Sequence, residues 1–183
     1  MEKKRKKVHQ IIHNFNITLR EYSKRGKNNC FPVVGHCPFC KYPERLVRHG
    51  FYWRNAVTAK EHLIIPILRL RCTSCHRTCS ILPEFLIPYY QYTLHTILDS
   101  LREWYSHKKF LIYRQLLQFY RRRFNNNLNK IQTFVRDSGY RGIIPEETKK
   151  KAIKLLDMIN AFPKAETFFQ RFQNHYQQNL MAI

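Results

Sequence analysis

Acidic residues are scarce in this chain: 12 Asp and Glu stand against 33 Lys and Arg, leaving a net charge of +21. Such an imbalance opposes compaction by self-repulsion, so the natural beneficiary is a polyanion outside the chain. The excess is positive in each of the segments 1–30, 31–88, 89–140 and 141–183. That excludes a single solvated basic tail and suits an extended phosphate-tracking surface. Glycine is scarce as well, with five residues, so no long flexible linker is expected. Long apolar runs are missing. Stretches such as Leu63 to Leu68 fall far short of the ~20 residues that a membrane-crossing helix requires, so no membrane partner is expected. The basic run Lys3 to Lys7 is not followed by an unbroken apolar segment, which argues against a secretory signal and for a cytoplasmic protein.

Catalytic sets are lacking too. Nuclease and transposase centres gather two or three carboxylates around divalent metals. Here Asp99, Glu103 and Asp137 fall in expected helices, and no strand brings a pair of acids together. No phosphate-binding glycine loop, Ser-His-Asp set or H-E-x-x-H motif is present. The chain therefore reads as a binding protein and not an enzyme.

What is present is a globular composition, 44% hydrophobic, and a change of pattern along the chain. Val8, Ile11, Ile12, Phe15, Leu19 and Tyr22 have helical spacing, so a short amphipathic helix is expected after the basic arm. Leu46 to Arg54 and Leu63 to Arg71, rich in β-branched residues and in short runs bounded by Gly and Pro, look like strands, and a third short strand is expected through Ser80, Ile81 and Leu82. From Pro88 the spacing is helical. Helices are expected over about 92–106, 110–126 and 128–138, with Asn125 to Asn127 as a boundary and Ser138 to Pro145 as a linker. Two more are expected over 146–161 and 164–178, separated by Pro163. The expected organisation is a basic arm and helix over 1–30, a ribbon over 31–88, a helix-turn-helix-like region over 89–140 and a helical region over 141–183.

The strongest motifs are Cys37-Pro38-Phe39-Cys40 and Cys72-Thr73-Ser74-Cys75. Each C-x-x-C turn can offer two thiolates to one metal, and two such turns complete a tetrahedral site. Residues 41–71 between the pairs suit two strands joined by a connection, as in a zinc ribbon with an elongated hairpin. Zinc is thus the expected cofactor, in a structural role, because four cysteines leave no open position for a substrate water. Metal–thiolate binding contributes roughly 10–16 kcal/mol in small zinc peptides, and a sheet this small needs such help. Cys79 reads as a buried strand cysteine, with ligand replacement as the alternative. Cys30 reads as a small hydrophobe. His36, His49 and His76 read as surface or packing residues.

Two patterns point to nucleic acid. Along the strand around Arg48 to Arg54, one face carries Arg48, Tyr52 and Arg54, a combination that neutralises phosphates and stacks on bases. On the helix over 110–126, Arg114, Gln118, Arg121, Arg122 and Asn125 recur at positions that share one face. Arg, Gln and Asn are the side chains that read guanine and adenine edges in the major groove. Packed on its neighbours, this helix would make a three-helix, helix-turn-helix-like unit. The alternative for both patterns is a solvated face.

The order C-P-F-C, R-L-V-R-H-G-F-Y-W-R, I-P-I-L-R-L-R-C-T-S-C-H-R-T-C-S-I-L-P and P-Y-Y-Q-Y resembles an uncharacterised bacterial family of zinc-ribbon proteins with a helix-turn-helix. Its members are often labelled transposase or insertion-sequence-associated. Ile112 to Phe124, Asn127 to Asp137 and His175 to Ala182 are also similar to that family, so the resemblance covers roughly residues 35–183. It implies a bacterial, nucleoid-associated protein that binds double-stranded DNA at mobile-element ends, with protein partners from a transposition complex. The expectation is an α+β protein: a small antiparallel zinc ribbon followed by an α-helical, helix-turn-helix-like region that binds DNA. An RNA-binding or ribosome-associated ribbon protein, and a protein–protein adaptor, are the alternatives.

Overall fold

The computed structural model describes residues 9–44, 46–162 and 164–181. The basic run Lys3 to Lys7, Pro163 and Ala182 lie outside them. The fold is mixed α+β and divides into two units, Met1–Ala56 with His62–Gln91, and Val57–Glu61 with Tyr92–Ile183.

The first unit is built on a sheet of four strands: β1 (His9–His13), β2 (Val47–Val57), β3 (His62–Arg71) and β4 (Thr78–Pro83), in the order β1-β4-β3-β2. Strands β3 and β4 pair antiparallel, with Leu68 opposite Ile81 and Leu70 opposite Cys79. The three expected strands form, and a fourth joins them where a helix was expected. Residues 9–13 pair parallel with β4, Ile11 opposite Ile81 and Ile12 opposite Leu82. Helical spacing of five or six apolar residues does not settle helix against strand. Here the free edge of β4 takes the segment through backbone pairing that only the tertiary fold supplies. The strand is then pinned beyond its end, since Glu84 N–H donates to the His13 carbonyl and its carboxylate accepts from Phe15 N–H at 3.0 Å.

The helix that was expected over 8–22 starts later, as α1 (Leu19–Arg25). Thr18 and Glu21 form a capping box that satisfies two of its first amides. Tyr22 is fully buried and its hydroxyl donates to the Pro66 carbonyl at 2.9 Å, tying α1 to β3. Phe15, Phe31 and Phe85 pack edge-to-face around Tyr22.

The second unit is helical: α2 (Leu94–His107), α3 (Arg114–Asp137), α4 (Thr148–Ala161) and α5 (Ala165–Tyr176). Thr93 caps α2, and α2 ends at Lys108 in the left-handed region. The helices expected over 110–126 and 128–138 are a single helix, α3, of 24 residues. Asn125 to Asn127 is no boundary. Asn127 is buried inside the apolar stripe of Leu117, Tyr120, Phe124, Leu128 and Ile131, and its amide donates back to the Arg123 carbonyl at 2.9 Å. Tertiary burial of that stripe outweighs the weak helix propensity of three asparagines. A three-helix unit made of 92–106, 110–126 and 128–138 is therefore not what these residues build. Helix α4 packs on α2 and α3, and α5 packs on α4 and α2. Phe134, Phe168 and Phe172 fill the centre.

Candidate functional site

The two C-x-x-C turns meet at one end of the first unit. The Sγ atoms of Cys37, Cys40, Cys72 and Cys75 all lie within 4.8 Å of one another. Cys37 and Cys75 sulfurs are 3.7 Å apart, and those of Cys40 and Cys72 are 3.8 Å apart. A tetrahedron of thiolates around a metal with bonds of about 2.3 Å has edges of about 3.8 Å. The four side chains thus fit one metal ion, and all the cysteines are free of disulfides.

The two turns share one backbone plan. Cys37 N–H donates to the Tyr42 carbonyl and Cys72 N–H to the Arg77 carbonyl, each at 3.0 Å. Phe39 N–H points at the Cys37 sulfur and Cys75 N–H at the Cys72 sulfur, at 3.4 and 3.5 Å. Such amides favour a thiolate over a thiol. At Cys37, burial opposes ionisation, but the Cys40 and Phe39 amides prevail and hold the thiol down to about 6. At Cys75 the Arg77 amide works the same way, yet burial and the neighbouring sulfurs prevail and push it up to about 11. Four sulfurs packed this closely are compatible with one metal ion held among them.

Cys79 stays out of the cluster. It is buried on β4, and burial pushes its thiol up to about 11. Cys30, His36, His49 and His76 are exposed. Among the described residues the four cysteines are the group of His, Cys, Asp and Glu side chains placed to share a metal.

The expected nucleic-acid residues separate into two classes. Arg48 is exposed on β2, and Arg114, Gln118 and Arg122 are exposed on α3. The others have internal partners. Arg54 donates from Nη2 to the carbonyls of Ile87 and Tyr90, 2.7 Å each, which clamps the segment after β4. Tyr52 is half-buried under the Arg69 guanidinium, 5.3 Å from its ring centroid. Asn125 accepts from the Tyr105 hydroxyl. Arg121 lies over the Trp104 ring at 4.2 Å.

Sequence reasoning missed the surroundings of Arg121. Trp104, Phe110, Arg114, Leu117, Gln118 and Arg121 line one cleft of about 110 Å³, and Lys108 Nζ sits 3.8 Å from the Trp104 ring centroid. The usable signal was the i, i+4 spacing of Trp104 and Lys108 at the end of α2, which places a cation over an aromatic face.

Among the described residues, no helix is long and apolar enough to cross a membrane. Residues 37–113 match the model of an uncharacterised family, described as "Domain of unknown function (DUF6431)". The match opens on the first cysteine of the cluster, contains all four, and stops at Tyr113, before α3 begins. No curated protein and no solved structure matches the chain.

Proposed function

We propose that this protein is a zinc-stabilised DNA-binding protein that serves a mobile genetic element as a transposition accessory or regulator. The observation that carries the reading is uncompensated positive charge on an ordered framework. With 33 cations and 12 carboxylates, the excess cannot be neutralised within the chain. The anchored cations are held largely by neutral groups: Arg54 by carbonyls, Arg69 by Tyr52, Arg121 by Trp104, and Arg123 by the Met181 carbonyl and the Phe119 ring. Such partners fix position without cancelling charge, so the field stays available to phosphates.

Zinc, held by Cys37, Cys40, Cys72 and Cys75, would supply a cross-link between the turn before β2 and the turn after β3. Its role is structural, because four thiolates leave no open coordination position. Arg48, Arg114, Gln118 and Arg122 are the exposed side chains that would contact DNA. Arg121, held over Trp104, adds charge beside them. The association with mobile elements rests on the sequence resemblance of residues 35–183. The scattered carboxylates support a binding protein over a strand-cleaving enzyme.

Binding to duplex DNA measured across salt concentrations tests this reading. If about seven phosphates are neutralised, log affinity falls with log salt at a slope near −6. Replacing Arg114 and Arg122 together with Ala should weaken binding and flatten the slope by roughly 2. Preference for structured RNA in direct competition would favour the ribosome-associated alternative. A slope near zero would remove phosphate contacts altogether.

A further inference from the structure

The cleft of the second unit differs from a groove-reading surface. A helix reads the major groove by inserting a convex face into a channel about 8.5 Å deep. Arg114, Leu117, Gln118 and Arg121 follow the i, i+3, i+4, i+7 pattern of one helix face, but Trp104 and Phe110 turn that face into the wall of a concavity. A concave site takes a group that protrudes. On a nucleic acid, the protruding group is a base that has left its stack.

The lining has the composition such a group needs. Leu117, Trp104 and Phe110 are apolar, while Arg114, Gln118 and Arg121 are polar. Phe110 is 48% exposed, and its ring packs on no other ring among the described residues. The side chains of Arg114 and Gln118 likewise have no partner among the described residues. Trp104 has another task. With Lys108 at 3.8 Å and Arg121 at 4.2 Å from its ring centroid, it holds two cations at the margin of the cleft. At about 110 Å³ the cleft is smaller than enclosed small-ligand sites, which run from ~300 to 1,000 Å³. A single flat base suits that size, with its sugar and phosphate left outside, and a duplex does not.

We propose that this cleft binds a single unpaired nucleotide of a DNA strand, with the base stacked on Phe110, its hydrogen-bonding edge at Gln118, and its flanking phosphate held by Arg114, Arg121 and Lys108. The inference rests on the nucleic-acid reading above and narrows it: the protein favours duplexes with an unpaired terminus over continuous duplex.

The chain has two tryptophans, Trp53 and Trp104. In the metal-loaded 183-residue chain, Trp53→Phe leaves Trp104 as the sole indole reporter beside the cleft. A blunt duplex, the same duplex with a five-nucleotide single-stranded overhang, and the overhang version in RNA are titrated at one salt concentration. The overhang duplex should quench Trp104 and bind roughly tenfold more tightly than the blunt one. Phe110→Ala should abolish the preference while leaving blunt-duplex affinity within about twofold. Phe110→Leu, which keeps an apolar filler but no ring face, should do the same and guards against misfolding of the alanine variant. Equal affinity for blunt and overhang DNA, or a preference that survives both variants, overturns the proposal and leaves duplex binding standing. Tighter binding of the RNA version overturns the assignment to DNA. Failure of every nucleic acid to bind overturns this inference together with the broader reading.

Discussion

Lys41 and His76 occupy equivalent places in the two C-x-x-C turns. Each follows the second cysteine of its pair, each has a left-handed backbone (φ 61 and 58), and each donates its amide to the carbonyl of the first cysteine, at 3.0 and 3.2 Å. The two turns are thus one conformation used twice, with the sulfurs facing a common centre. A residue with a Cβ in this region costs about 1–2 kcal/mol relative to right-handed helical backbone, whereas glycine adopts it freely. Lys41→Gly and His76→Gly should therefore each raise stability in urea by about 0.5–1 kcal/mol. Metal content by native mass spectrometry should stay at one ion per chain. Loss of the ion in His76→Gly would make this side chain a ligand and break the four-cysteine assignment.

Metal removal should act on the first unit. Chelation, or Cys37→Ser or Cys72→Ser, should release the ion and abolish the near-ultraviolet circular dichroism of the aromatic cluster around Tyr22, since metal binding and folding are linked in sheets of this size. Cys30→Ser and Cys79→Ala should both retain one ion, because neither sulfur reaches the cluster. Metal loss in Cys79→Ala with the fold intact would transfer a ligand role to β4.

Arg48 and Arg54 lie on the same strand and should behave in opposite ways. Arg54 satisfies two backbone carbonyls after β4, and hydrogen bonds from a charged donor contribute roughly 1.5–3 kcal/mol. Arg54→Ala should lower stability by about 2–3 kcal/mol. Arg48 is exposed, so Arg48→Ala should change stability by less than about 0.5 kcal/mol while weakening DNA binding. Equal loss of stability in both, measured by urea denaturation, would contradict this division.

His95 and Glu166 pair at 2.6 Å in the second unit. The hydrogen bond that His95 donates to the Glu166 carboxylate raises the His95 pKa above 6.5. At Glu166 burial opposes ionisation, but the bond to His95 prevails and lowers its pKa below 4.5. The histidine contribution is full below pH 6.5 and fades as pH rises through its raised value. The glutamate contribution is full above pH 4.5 and fades as pH falls through its lowered value. The pair therefore stabilises most between about pH 4.5 and 6.5. Because His95 is half exposed, the gain at pH 5.5 over pH 8 should not exceed about 1 kcal/mol. His95→Gln should remove it, as thermal denaturation at the two pH values would show. An unchanged pH difference in that variant would assign the effect to other groups.

The cluster of four cysteines was legible because C-x-x-C spacing is local: the turn itself sets the two sulfurs side by side. Strands β2, β3 and β4 were legible through β-branched residues and the Gly and Pro that bound them, as were the helical character after residue 92 and the ends of α4 and α5 to within a few residues. Strand β1 was not, since Ile11 and Ile12 suit either periodicity until an edge of β4 is present to pair with them. The unbroken α3 was not either, since its asparagines favour a boundary until the stripe around Asn127 is buried.

Composition and spacing alone determined the charge, the four thiolates and the mixed α+β character, because those properties belong to residue types and to neighbours in sequence. Tertiary structure decided which arginines face outward and which are fastened inward. Arg48 and Arg54 look alike in sequence, and they part because the carbonyls of Ile87 and Tyr90 are brought to Arg54 from more than thirty residues away. It also decided that a helix face of Arg114, Gln118 and Arg121 becomes the wall of a cleft, because Trp104 and Phe110 meet it only once α2 and α3 have packed.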